Sequence, residues 1–179
     1  MGAYLEHVDF FDYQFFGMNY DEAVLLEPAQ RLLFQTTWKA IEDAGYTKAD
    51  ISNTDTAIYL GCSNSEEYKG FGMLSHQYPL YRPVDAESIS DYFHWSGISV
   101  KINTVCSSSL VAVHQACQAL SDGEANMAIA GGIRLSLLPL KYTKIGVESD
   151  DGITRPFDSK AAGCGGGEGV ITILLKEFE

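Results

Sequence analysis

Asn103-Thr104-Val105-Cys106-Ser107-Ser108-Ser109-Leu110 places one cysteine between an apolar, β-branched stretch (Ile98 to Val105) and a helix-forming one (Leu110 to Leu120). The pattern predicts a strand, a tight turn carrying Cys106, and a helix. A thiolate in such a turn lies against unpaired N–H groups and the positive end of the helix dipole, which favours the charged form. Proteins activate a nucleophilic cysteine in this way without a metal. A free cysteine serves equally as a small buried hydrophobe. The polar serine run after Cys106 argues against plain core packing, yet local chemistry leaves both uses open.

Outward from this stretch, Thr56 to Leu60, Ile98 to Thr104, Met127 to Ala130 and Val170 to Leu175 read as short strands. The last is nearly all apolar, as in a strand buried on both faces. A helix is expected from Ser107 to Leu120, with Leu110, Val113, Cys117 and Leu120 on one side. The clearest helix runs from about Pro28 to Ala44, where Pro28 suits the first helical position and Gly45 the residue after the end. Ala29, Leu32, Leu33, Thr36, Ala40, Ile41 and Ala44 form its apolar stripe, so Arg31 and Trp38 are read as parts of a packed amphipathic helix. Strand–helix alternation without repeats or linkers predicts one layered α/β unit. The aromatic, irregular middle from Glu66 to Ser96 is read as a covering or interface region.

The chain has 179 residues, 46% of them hydrophobic, and a net charge of −12. That is enough for one domain with a sizeable core. Its acidity disfavours nucleic-acid binding, which needs clustered Lys and Arg. No apolar run approaches a membrane span, and no leader peptide is recognised. Cys62, Cys106, Cys117 and Cys164 lack metal or disulfide spacing, so a reducing, cytoplasmic setting is expected.

Gly163-Cys164-Gly165-Gly166-Gly167-Glu168-Gly169 is glycine-rich, but it leads into a strand. A phosphate loop needs a helix after it, so a structural turn is expected, with Cys164 exposed. His114 follows Cys106 by eight residues, about 12 Å along a helix, too far for a direct hydrogen bond; it is read as a packing histidine. Asp150-Asp151 precedes Gly152 and reads as a turn, and no metal site is proposed.

Thr104-Val105-Cys106-Ser107-Ser108-Ser109-Leu110-Val111-Ala112-Val113-His114 resembles the nucleophile segment of β-ketoacyl synthases. It is most similar to the ketosynthase domains of modular polyketide synthases, which usually read Asp-Thr-Ala-Cys-Ser-Ser-Ser-Leu. Leu26 to Trp38 with Ala40 to Tyr46 looks like the family's long early helix, and Ala57 to Gly61 followed by Tyr68 like its strand toward the dimer region. Ala130-Gly131-Gly132, Asp151 to Asp158 and Gly167-Glu168-Gly169 also fit, in the family's order. Several positions depart from the pattern. Asn103 stands for Asp, Val105 for Ala and Ile98 for Pro, Glu87-Ser88-Ile89-Ser90 lacks the Arg of the usual Ser-Arg-Ile-Ser, and Gly166 stands for the Arg often found before Gly-Glu-Gly. Leu137 to Lys141 and Ile145 to Ser149 resemble ketosynthases served by separate acyltransferases.

The resemblance implies a partial thiolase-like layered fold. Residues 1–179 would be the N-terminal half of a ketosynthase domain, one half of the duplicated α/β unit without its opening strand. Unpaired backbone is then expected on the sheet. It also implies that Cys106 takes an acyl group from a carrier-protein thioester, with its own backbone N–H as one oxyanion donor, before a decarboxylative Claisen condensation. The family's two histidines, in His-Gly-Thr-Gly-Thr and later Gly-His segments, lie downstream of the Gly-Glu-Gly turn, so the isolated chain should at best self-acylate. No bound cofactor is implied; substrates ride on the phosphopantetheine of an acyl-carrier protein. Val100 to Thr104 corresponds to the strand that meets its twin across a homodimer axis. The alternatives are a non-catalytic remnant or dimerisation piece, and a fatty-acid-type ketosynthase.

Overall fold

The computed structural model describes residues 2–62, 82–136 and 146–177. In chain order these build β1 (Gly2–Ala3), α1 (Tyr20–Leu25), α2 (Pro28–Asp43), α3 (Lys48–Ile51), β2 (Thr56–Cys62) and α4 (Ala86–Phe93). There follow β3 (Ser99–Ile102), a 3-10 turn (Val105–Ser107), α5 (Ser108–Ser121), β4 (Met127–Arg134), β5 (Gly166–Gly167) and β6 (Gly169–Lys176).

Four strands form one sheet in the order β3-β2-β4-β6. The β2 strand pairs in parallel with β3 and β4, whereas β6 runs antiparallel to β4. Side chains alternate across it, as period-two geometry requires. Ile58, Leu60, Met127 and Ile129 face a large-residue core shared with Leu33, Phe34 and Ile41 of α2 and with Ile89 and Phe93 of α4. Ala57, Tyr59, Ala128 and Ala130 face the other way, against Ala112, Ala116 and Ala119 of α5. The result is a helix–sheet–helix sandwich.

Pro28 opens α2 as expected, and Gly45 follows its end at φ +82°, a conformation glycine adopts without strain. The buried stripe of α2 differs in detail: Gln30, Phe34 and Thr37 are buried, while Leu32, Thr36 and Ala40 are half-buried and Ala44 is exposed. Gln30 enters the stripe because it works with Glu27 at the helix start, whereas the buried Thr37 hydroxyl makes no hydrogen bond among the described residues. Glu27 accepts the Val84 N–H (3.2 Å), and Gln30 holds Asp85 through both its amide groups. Arg31 donates to the Leu26 and Val24 carbonyls, closing the end of α1.

Three further expectations are corrected. The β6 strand is not buried on both faces: Ile171 is 70% exposed and Ile173 36%. It lies at the sheet edge, where α2 packs on one side and α5 extends over β2 and β4 rather than β6. The inward side of α5 consists of Ser108, Ala112, Ala116, Ala119 and Leu120, whereas Leu110 and Cys117 are exposed. Where the sheet face is alanine and glycine it accepts only small helix residues at close range, so Leu110 turns outward, while Leu120 is buried at the far end of α5. The stretch from Glu66 to Ser96 is not irregular throughout, since α4 forms within it, capped by Asp85. Phe71, Tyr78 and Tyr81 of that stretch, with Tyr68 and His76, lie outside the described residues, as do Leu137 to Lys141.

The glycine-rich segment is not the expected tight turn but extended chain leading into β6: Cys164 bridges to Glu148, Gly166–Gly167 pairs in parallel with β1, and Glu168 clasps the N-terminal segment and Ser136 there. Its carboxylate accepts the N–H groups of Leu5 (2.9 Å) and Ser136 (2.8 Å), and its own N–H donates to the Ala3 carbonyl. Glu168→Ala leaves those two donors without their carboxylate and is expected to cost about 2 kcal/mol. An unchanged urea midpoint would remove the clasp from the account.

Candidate active site at the carboxyl ends of the parallel strands

The parallel strands β2, β3 and β4 end at Cys62, Ile102 and Arg134, all toward one edge of the sheet. Open α/β sheets bind ligands beyond that edge. Cys106 is the fourth residue after β3 and lies in the 3-10 turn between β3 and α5. It is exposed, which excludes the packed-hydrophobe use. The helix begins two residues later than Cys106, so the nucleophile candidate sits on the turn rather than in the helix itself.

The turn is tightly specified. Val105 has φ +59°, a left-handed conformation that is costly for a β-branched residue. Its N–H donates to Asn103 Oδ1 (3.2 Å), and its carbonyl accepts the Ser108 hydroxyl (2.7 Å). Ser108 Oγ also accepts the Thr104 N–H (2.9 Å), and Ser107 Oγ donates to the Thr104 carbonyl and hydroxyl. The serines therefore satisfy the backbone groups that a strand-to-helix turn leaves open. Among the described residues the Cys106 N–H has no hydrogen-bond acceptor, so it remains available as a donor.

Two glycines seat this turn on the sheet. A Cβ on Gly61 would lie 2.5 Å from Ser109 N and 2.6 Å from the Ser108 carbonyl carbon; one on Gly132 would lie 2.7 Å from Ser109 Cβ. Neither glycine was singled out from the sequence for this role. A glycine inside a strand is the available signal, since it marks a close approach of another backbone.

None of the remaining candidates hydrogen-bonds Cys106 among the described residues. His114 is exposed on α5, not packed as expected, because the alanine side of the helix takes the buried position. None of His7, His94 and His114 hydrogen-bonds Cys106. Cys164 is exposed, with its thiol toward the Val147 carbonyl at 3.3 Å. Asp151 pairs with Arg155 at 2.6 Å beside the Gly152 turn, which holds its carboxyl well below the usual range. Among the described residues no cluster of three or more His, Cys, Asp or Glu side chains is placed to hold a metal, and no helix is long and apolar enough to cross a membrane.

Cys62 behaves oppositely to a nucleophile. Burial pushes its thiol up to about 11, with Lys101 opposing and Glu27 adding to the shift. A raised folded-state value stabilises the protein below the ordinary thiol range, and that contribution is lost as pH climbs through it toward 11. Between pH 8 and 10.5 the parent is expected to lose roughly 2 kcal/mol more than Cys62→Val, measured by urea denaturation. Parallel losses in the two proteins would refute a buried neutral thiol.

Comparison with known proteins places this geometry. The whole chain, residues 1–179, matches the family model described as the β-ketoacyl synthase N-terminal domain. Polyketide synthase PksM of Bacillus subtilis (strain 168) is 37% identical over 191 residues, covering 98% of this chain and 4% of that protein. Fusarielin synthase FSL1 of Gibberella zeae is 38% identical over 180 residues, covering 96% and 7%. The solved ketosynthase from module 6 of the bacillaene synthase of Bacillus subtilis 168 superposes with a TM-score of 0.84 at 35% identity, covering 97% of this chain and 31% of that one. The oxazolomycin ketosynthase domain OzmH KS7 of Streptomyces albus JA3453 gives 0.86 at 35% identity, covering 98% and 33%. The chain spans about a third of these solved chains and less than a tenth of the two longer relatives.

Proposed function

The chain belongs to the β-ketoacyl synthase family through its N-terminal domain, and from that premise we propose that it is the nucleophile-bearing part of a polyketide ketosynthase, with Cys106 accepting the acyl group. Its thiolase-like α/β fold and its polyketide synthase relatives support this reading. The observation that carries it is an exposed thiol on a hydrogen-bonded, left-handed turn at the carboxyl edge of the parallel strands.

The Cys106 thiolate attacks the carbonyl carbon of an acyl thioester on the phosphopantetheine arm of a carrier protein. A C–S bond forms to Cys106 Sγ, the bond to the pantetheine sulfur breaks, and the departing thiolate takes up a proton. The tetrahedral oxyanion accepts a hydrogen bond from the Cys106 N–H, a fixed dipole that needs no reorganisation. In the complete domain a malonyl-type thioester then loses CO₂, its carbanion attacks the acyl carbonyl, and Cys106 leaves as thiolate to be reprotonated. No cofactor is resident in this scheme; phosphopantetheine arrives with the substrate. A cytoplasmic setting, without membrane or nucleic-acid partners, belongs to the same reading.

The partners proposed are the carrier protein and a second copy of the chain. The described sheet ends at β3, whose outer edge offers unpaired backbone to a twin strand. That edge equally favours a second reading, a dimerisation piece without catalysis. Incubation with a short acyl-pantetheine thioester, read by intact mass and peptide mapping, separates the two. One adduct on the peptide containing Cys106 is expected; no adduct, or one spread over Cys62, Cys117 and Cys164, favours the second.

A further inference from the structure

Val105 carries strain that packing does not explain. Its φ of +59° is unfavourable for a β-branched side chain, and the side chain is 72% exposed. A conformation of this kind persists only where its surroundings over-determine it. Here the determinants are hydrogen bonds at both ends of the residue: Asn103 Oδ1 on its N–H and the Ser108 hydroxyl on its carbonyl. Ser108 does more than its neighbour, because the same oxygen accepts the Thr104 N–H and so bridges the residues on either side of the left-handed bond. Ser108 is itself buried, and its backbone is seated against Gly61, so the hydroxyl is a fixed point rather than a mobile one.

We propose that Ser108 is a positioning residue for the acyl-transfer site, holding Val105 left-handed so that the thiol and N–H of Cys106 point together at one carbonyl group. The inference rests on the acyl-transfer reading above. It assigns to Ser108 no contact with substrate and no proton transfer. Its consequence is selective. Acyl transfer needs both the thiol and the N–H aimed at the thioester, whereas alkylation by iodoacetamide needs only an accessible thiol.

The experiment is a double-mutant cycle on Ser108→Ala and Val105→Gly, reading the rates of Cys106 acylation by an acyl-pantetheine thioester and of alkylation by iodoacetamide. In the parent, Ser108→Ala is expected to slow acylation on the order of tenfold, as small misplacements of reacting groups do. Alkylation should change by no more than about twofold, since it does not use the oxyanion donor. In the Val105→Gly background, where glycine takes φ +59° without penalty, Ser108→Ala should cost about twofold or less in acylation. Should Ser108→Ala alone fail to fold, the Val105→Gly/Ser108→Ala protein tests the same point, because it must fold and acylate at the rate of Val105→Gly. An equal loss in both backgrounds, or acylation and alkylation falling together, would overturn the positioning role. A parent protein that takes no acyl group at all overturns the underlying reading instead, and this inference with it.

Discussion

Cys106→Ala is expected to reduce acyl labelling to background, below about 1% of the parent rate, while the melting temperature moves by less than about 2 °C. The first half follows from the chemistry: removing the nucleophile removes the only atom that can form the new C–S bond in this scheme. The second follows from exposure. Cys106 contributes no buried side chain and no side-chain hydrogen bond that the turn depends on, since the turn is tied by Asn103, Ser107 and Ser108. Alanine also keeps the backbone N–H, so the variant separates nucleophile from oxyanion donor. The exposed thiol of the following helix cannot substitute by proximity. Cys117 lies eleven residues further along, about 16 Å away at helical rise. Persistence of the adduct in Cys106→Ala would sink the assignment.

The strand–turn–helix around Cys106 was legible because three different signals coincide there: β-branched residues, then small polar ones, then helix formers. The same holds for α2, whose proline and flanking glycine mark its ends. The α5 stripe was misread for a physical reason. Hydrophobic periodicity ranks residues by size, and so it chose Leu110 and Cys117 over Ala112, Ala116 and Ala119. The deciding quantity is the distance between helix and sheet, which depends on Gly61, Gly132, Ala57, Ala128 and Ala130 on two other elements. A one-dimensional pattern carries no such pairing. The β6 strand failed similarly: apolar composition says that a strand prefers burial, not whether it lies at the middle or the edge of its sheet. In the candidate site, residue type and the serine run single out Cys106 as a candidate, but nothing in the sequence singles out Ser108. The role proposed for Ser108 depends on a backbone angle at Val105 that no residue preference predicts, and valine argues against that angle.

That dependence on inter-element distance makes Gly61→Ala a severely damaging substitution for the seat of the Cys106 turn. The added Cβ would meet Ser109 N at 2.5 Å, the Ser108 carbonyl carbon at 2.6 Å and its oxygen at 2.8 Å. These are backbone atoms of the helix start, so no rotamer change relieves the overlap. Either α5 lifts away from the sheet, opening the contact of Ala112 and Ala116 with the alanine face, or β2 twists out of register with its two parallel partners. Overpacking in a close-packed interior usually costs 1–3 kcal/mol, and a backbone-on-backbone overlap belongs at the top of that range, about 3 kcal/mol. The functional loss should exceed the stability loss. The displaced residues are Ser108 and Ser109, so the hydroxyl that spans Thr104 and Val105 moves with them, and acylation of Cys106 is expected to fall on the order of a hundredfold even in the folded fraction. Gly169→Ala is the control, because a Cβ there meets nothing within 4 Å and its φ is ordinary. Urea midpoints for Gly61→Ala and Gly169→Ala, with single-turnover acylation at a denaturant-free temperature well below both transitions, check the two claims separately. If Gly61→Ala matches Gly169→Ala in stability, the close seat of α5 on β2 is wrong. If it is destabilised yet acylates normally, the seat is structural only and the turn above it holds its own geometry.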